Sequence, residues 1–117
     1  MRSMTQKVNI FVDDERDCPE GFLCARTFEE AKELLLANKG NISVVTLDNC
    51  LGGSIGEFGT DLFPFMKENG IFPDKLNCHT GLHPEEMARF AKGYFPETTK
   101  ITANSLGFFI RVRMHRP

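Results

Sequence analysis

The sequence predicts a single α/β domain built on a mainly parallel sheet with helices on both faces, a three-layer sandwich. Three observations carry that expectation. Strand candidates at 7–12 ("KVNIFV"), 42–48 ("ISVVTLD") and 74–80 ("DKLNCHT"), the first two rich in β-branched residues, are separated by stretches with helical spacing. The 117 residues fit one domain with one packed core, and no repeat, low-complexity tract or linker divides them. Hydrophobic residues at 41% and charged residues at 26% are ordinary globular values.

Taken in order, "KVNIFV" is the first strand, and "GFLCAR" (21–26), entered through Pro19 and Gly21, is a short second one. "TFEEAKELLLANKGN" reads as a helix. Thr27 caps it, Glu30 stands three residues later as in a capping box, and Gly40 stops it. Phe28, Ala31, Leu34, Leu35 and Ala37 form its apolar stripe. "ISVVTLD" is the clearest buried strand. "NCLGGSIGEFG" after it holds four glycines within 52–59 and predicts a mobile loop. A helix from about Thr60 must keep Pro64 in its first turn. "DKLNCHT" is a strand ending in His79 and Thr80, and "HPEEMARFAKGYF" is a helix with Pro84 near its first position. The core spans 7–96. In the extension 97–117, "KITAN" and "FFIRVRMH" both read as strands, and "NSLG" between them suits a hairpin turn. The phenylalanines at 58, 63, 65, 72, 90 and 95 are assigned to the core.

Several function classes are disfavoured at once. A formal charge of −2, from 14 basic and 16 acidic residues, does not predict sequence-independent grip on nucleic acid, and no DNA-binding motif is present. No apolar run approaches the roughly 20 residues needed to cross a bilayer, and "MRSMTQKV" lacks the apolar centre of a signal peptide. Cysteines at 18, 24, 50 and 78 make no C-x-x-C pair, so the expectation is a reduced, cytoplasmic protein with Cys50 and Cys78 as small core or loop residues. Arg111, Arg113, His115 and Arg116 make the end basic, as a solvated strand face or as a contact for phosphate or an RNA end.

The functional signal is convergence. In parallel α/β sheets the ligand site lies beyond the carboxyl ends of the strands. Asp13, Asp14 and Glu15 follow the first strand, Asp48 ends "ISVVTLD", and His79 and Thr80 end the strand after it. Asp13 or Asp14 together with Asp48 offers hard oxygen ligands to Mg²⁺ or Mn²⁺, and a cation would relieve repulsion among the clustered acids. Glu15 reads better as a salt-bridge partner than as a ligand. His79 is placed as a general acid or base, while Thr80 and Arg16 are placed to meet phosphate oxygens. Local capping and pairing with Arg16 is the plainer account of Asp13 and Asp14. His83 reads as solvent-facing. Zinc held by Asp48, Cys50, Cys78 and His79 is disfavoured, because consecutive strand residues 78 and 79 point to opposite faces. A thiol nucleophile at Cys50 with His79 as base lacks an evident third group.

"DDERDCPEGF", "LDNCLGG" and "CHTGLHPEEM", in that order over roughly 7–92, resemble a divergent branch of the response-regulator receivers, the cyclic-phosphate processing receiver-like domains. The resemblance implies a flavodoxin-like fold with a reduced first helix and a metal-dependent phosphoesterase acting on a cyclic phosphate. It implies Asp13, Asp14 and Asp48 as metal ligands, His79 and Asp48 as catalytic residues, and Thr80 and Arg16 as substrate contacts. Asn49 and Cys50 stand where that branch often carries a His and a second acid. Lys100 precedes "ITAN" rather than ending the strand, where ordinary receivers carry a phosphoryl-binding Lys. These departures keep two alternatives open: a non-catalytic interaction module on a receiver scaffold, and a phosphoacceptor signalling domain.

Overall fold

The computed structural model describes residues 7–14, 16–48, 59–79 and 84–103. Five strands, β1 (Val8–Val12), β2 (Leu23–Ala25), β3 (Ile42–Leu47), β4 (Lys75–Cys78) and β5 (Lys100–Ala103), form one sheet in the order β2-β1-β3-β4-β5. Every pairing is parallel. Three helices connect them: α1 (Phe28–Ala37), α2 (Leu62–Glu68), which follows a short 3₁₀ turn at Gly59–Asp61, and α3 (Pro84–Ala91). This is the receiver-like, flavodoxin-like α/β domain that the sequence predicts.

The order determines where each connection lies. The passages through α1, α2 and α3 all advance across the sheet in one direction, and right-handed crossovers therefore place all three described helices on one face, where the sequence predicts helices on both. Their buried residues, including Ala31, Leu35, Leu62, Phe63, Met66, Met87 and Ala91, join Ile10, Val12, Val45, Leu47, Leu76 and Cys78 in one apolar cluster. The step from β1 to β2 runs the other way, so residues 13, 14 and 16–22 belong to the opposite face. There, the edge of the Phe22 ring meets Phe11, with centroids 6.5 Å apart.

Local chemistry explains the helix ends. Thr27 Oγ1 accepts from the Glu30 N–H, and the Arg26 N–H donates to Glu30 Oε1 at 2.7 Å. Gly40 adopts φ +79°, which suits the chain reversal before β3. Pro64 falls in the first turn of α2, where its missing N–H costs nothing.

Some expectations change. Cys18 and Cys24 form a disulfide, which corrects the reading of all four cysteines as reduced. The "CPEGF" reversal brings their Cα atoms to 6.0 Å, within bridging range. Phe72 and Phe90 are exposed rather than core, at 44% and 51%, while Phe63 is fully buried. Ala37 is exposed, because α1 turns its last residue away from the sheet. Glu15, the segment 49–58 that includes Asn49, Cys50 and Phe58, Thr80, His83 and the tail strand or hairpin expected within 104–117 lie outside the described residues. Among the described residues no helix is long and apolar enough to cross a membrane.

Candidate functional site

Val12, Leu47 and Cys78 are register partners at the ends of β1, β3 and β4. Backbone bonds carry the ladder one residue further. The Asp13 N–H donates to the Ala25 carbonyl, the Asp48 N–H to that of Val12, and the His79 N–H to that of Leu47. Arg26, Asp13, Asp48 and His79 thus follow four adjacent strands at one level of the carboxyl rim. Strand alternation turns them away from the apolar cluster holding Val12, Leu47 and Cys78. The convergence expected from sequence is a direct product of this register.

Asp13 and His79 are fully buried, and Asp48 is nearly so. The His79 ring lies flat on Phe11, with centroids 5.0 Å apart and planes 1° from parallel. It spans β3, placing Nδ1 at 2.8 Å from Thr46 Oγ1 and Nε2 at 2.9 Å from Asp13 Oδ2. Asp13 Oδ1 accepts from the Arg16 N–H at 3.1 Å, and Oδ2 accepts from Arg16 Nη1. The same Nη1 reaches Asp48 Oδ2 at 3.2 Å. Burial alone would lower the Arg16 pKa. The hydrogen bond to Asp13 and its charge, then those of Asp48, outweigh burial and raise it above the ordinary value. Arg16 Nε is buried without a hydrogen-bond partner among the described residues.

Asp13, Asp14 and Asp48 each offer one carboxylate oxygen, and these oxygens lie within 4.8 Å of one another. The donors are hard oxygens, which suit Mg²⁺ or Mn²⁺ better than a soft or thiophilic metal. Arg16 Nη1, bridging Asp13 and Asp48, marks where the rim accepts positive charge. The zinc set is not assembled here: Cys78 faces the apolar core, where burial pushes its thiol up to about 12, while His79 faces away. Lys100 opens β5 as the register partner of Lys75, at the amino rim and far from the Asp48 end of the sheet.

Sequence reading missed four contributors. Arg26 donates to the carbonyls of Asp13 and Arg16 and so braces the turn between them. Thr46 and Asn77 lie directly below the rim, with the Asn77 amide donating to Thr46 Oγ1 at 2.9 Å. Gly59, which the sequence grouped with a mobile loop, packs against the rim. A Cβ there would collide with the Asp48 carbonyl oxygen and lie 2.6 Å from Leu47 Cδ1. Of these, only the glycine carried a signal, at the end of its cluster and next to a helix start.

A parallel sheet in this order, with acids at the carboxyl ends of β1 and β3, defines a receiver-like domain. More narrowly, the chain matches the model of the cyclic-phosphate processing receiver domain over residues 8–92, and it belongs to that family. No curated protein and no solved structure matches it.

Proposed function

We propose that the carboxyl rim holds a divalent cation, Mg²⁺ or Mn²⁺, and that the domain there binds or hydrolyses a phosphate ester. Family membership favours a cyclic phosphate as its substrate class. The observation that carries this reading is the approach of three carboxylate oxygens, from Asp13, Asp14 and Asp48, to within 4.8 Å of one another. When bound, a cation there would polarise a phosphoryl oxygen and offset the charge that builds up on it.

The chain's own residues supply the rest. Asp13, Asp14 and Asp48 hold the ion. Arg16 shifts from neutralising two carboxylates to sharing its donors with phosphate, and its unpartnered Nε–H is ready for a phosphate oxygen. Thr80, one residue beyond His79, is the second phosphate contact. His79 was expected to move a proton. With one nitrogen on Thr46 and the other on Asp13, it serves in this reading by holding Asp13 in place.

The test is a titration of Mg²⁺ and Mn²⁺ against melting temperature. It is paired with turnover of a panel of cyclic nucleotides and RNAs ending in a cyclic phosphate. Ion at a hundred times its Kd stabilises a folded protein by about 2.7 kcal/mol, so the melting point should rise. Asp48→Asn should abolish both the shift and turnover without unfolding the chain. No shift at millimolar ion would remove the cation from the proposal. The second reading, a non-catalytic interaction module, is favoured by one observation: Arg16 already neutralises Asp13 and Asp48 with no metal required. An unchanged melting point together with no turnover would select it.

A further inference from the structure

We infer that Thr46 is a positioning residue that anchors the His79 ring at Nδ1 and thereby aims the Asp13 carboxylate. The inference rests on the reading of Asp13 as a cation ligand and extends it to a layer of residues that touches neither ion nor substrate.

Phe11, Thr46, Asn77 and Thr102 occupy one register row across β1, β3, β4 and β5, two residues before the rim and on its face. A continuous hydrogen-bonded chain runs along this row and up to the rim. The Thr102 hydroxyl donates to Asn77 Oδ1 at 2.6 Å, and Asn77 Nδ2 donates to Thr46 Oγ1 at 2.9 Å. Thr46 Oγ1 meets His79 Nδ1 at 2.8 Å, and His79 Nε2 meets Asp13 Oδ2 at 2.9 Å.

Proton bookkeeping sets the direction. Asp13 is a carboxylate held by the Arg16 guanidinium and backbone N–H, so it can only accept, and Nε2 must carry hydrogen. Thr46 accepts from the Asn77 amide and meets Nδ1 through the same hydroxyl, so the ring is tied at both nitrogens. The imidazole is thereby held with its Nε2 hydrogen aimed at Asp13. Phe11, stacked on the ring, restricts its tilt. Thr46, Asn77, His79 and Asp13 are 2%, 5%, 0% and 0% exposed, so solvent cannot replace a lost partner. Outer-layer partners of this kind orient metal ligands, and losing one typically weakens metal affinity by about 10–100-fold.

The test uses the full chain as wild type, Thr46→Ser and Thr46→Val. Ring ¹⁵N correlation spectra at neutral pH report the tautomer of His79, assigned by comparison with His79→Gln, and Mn²⁺ titration reports affinity. Wild type and Thr46→Ser should both show a protonated Nε2 and the same Mn²⁺ affinity. Thr46→Val should shift the His79 ring resonances as the ring loses its Nδ1 anchor, and should bind Mn²⁺ at least about tenfold more weakly. A bare Nε2 in the wild type overturns the inference, and that measurement needs no variant to fold. Equal Mn²⁺ affinity in wild type and Thr46→Val overturns it while leaving the cation reading intact. A wild type that binds no Mn²⁺ overturns the cation reading and, with it, the aiming of Asp13.

Discussion

Two pairs of residues join the ends of the same two strands at opposite rims of the sheet. At the amino rim, Lys7 before β1 meets Asp74 before β4 at 3.1 Å, with side chains 40% and 60% exposed. At the carboxyl rim, Asp13 after β1 meets His79 after β4 at 2.9 Å, and both side chains are fully buried. Each pair spans the intervening β3. The partners differ in kind, a lysine against an imidazole, but it is burial that decides what each contact is for. Water and salt screen the amino pair, and holding two flexible side chains in one geometry offsets most of its attraction. At the carboxyl rim the charge has lost its water, so the fold must satisfy it with Arg16, His79 and backbone N–H groups. Such a concentration of buried polar groups is poorly explained by stability and well explained by a site.

The sharpest way to break this contrast is Asp13→Ala. It removes the Asp13 partner of the partly buried Arg16 guanidinium and the acceptor of the fully buried His79 Nε2. Removing one partner of a buried pair costs about 3–5 kcal/mol. Denaturant unfolding of the variant against wild type checks the value, and a loss below about 1 kcal/mol would show that the rim charges are effectively solvated.

Gly59→Ala comes next. The added methyl has no room beside the Asp48 carbonyl and Leu47 Cδ1, and backbone on one side cannot yield as a side-chain tip would. The expected loss is about 1–3 kcal/mol, with weaker Mn²⁺ binding as Asp48 is displaced. Opening the Cys18–Cys24 bridge should cost about 2 kcal/mol, because the loop it closes is short. Unfolding with and without reductant measures that loss. A Cys18→Ser, Cys24→Ser double variant should match the reduced protein.

How much of this was legible beforehand follows from which forces act locally. Strand positions and the acids at their ends were readable, because β-branched runs and the charges that stop them are sequence neighbours. α1 was readable from Thr27 and Glu30, whose side chains accept from the backbone N–H groups of Glu30 and Arg26 within the first turn. The reach of His79 over β3 was not, since it depends on the Thr46–Asn77 register between strands 31 residues apart in the chain. Thr46 reads in sequence as one more β-branched strand residue, and only its burial beside an imidazole reveals its hydroxyl as the ring's anchor. Arg26 looked like a strand terminus, yet its side chain braces the Asp13–Arg16 turn. The disulfide was hidden because a six-residue separation says nothing until the turn at Pro19–Phe22 has folded. Phe72 and Phe90 misled because hydrophobicity ranks residues but cannot say which side of a helix or loop faces out.

The smallest expected effect tests the comparison from its other side. Lys7→Ala deletes the amino-rim pair, whose partners remain hydrated when separated. Exposed pairs of this kind contribute about 0.2–1 kcal/mol, so the melting point should move by no more than a few degrees. Most of even that shift should vanish in high salt, where the Debye length falls to about 3 Å, comparable to the separation of the pair itself. The Asp13→Ala loss should persist under the same conditions, because buried charges are screened far less. Equal salt sensitivity in the two variants would mean that the carboxyl rim is as wet as the amino rim, and the functional argument built on its desolvation would no longer hold.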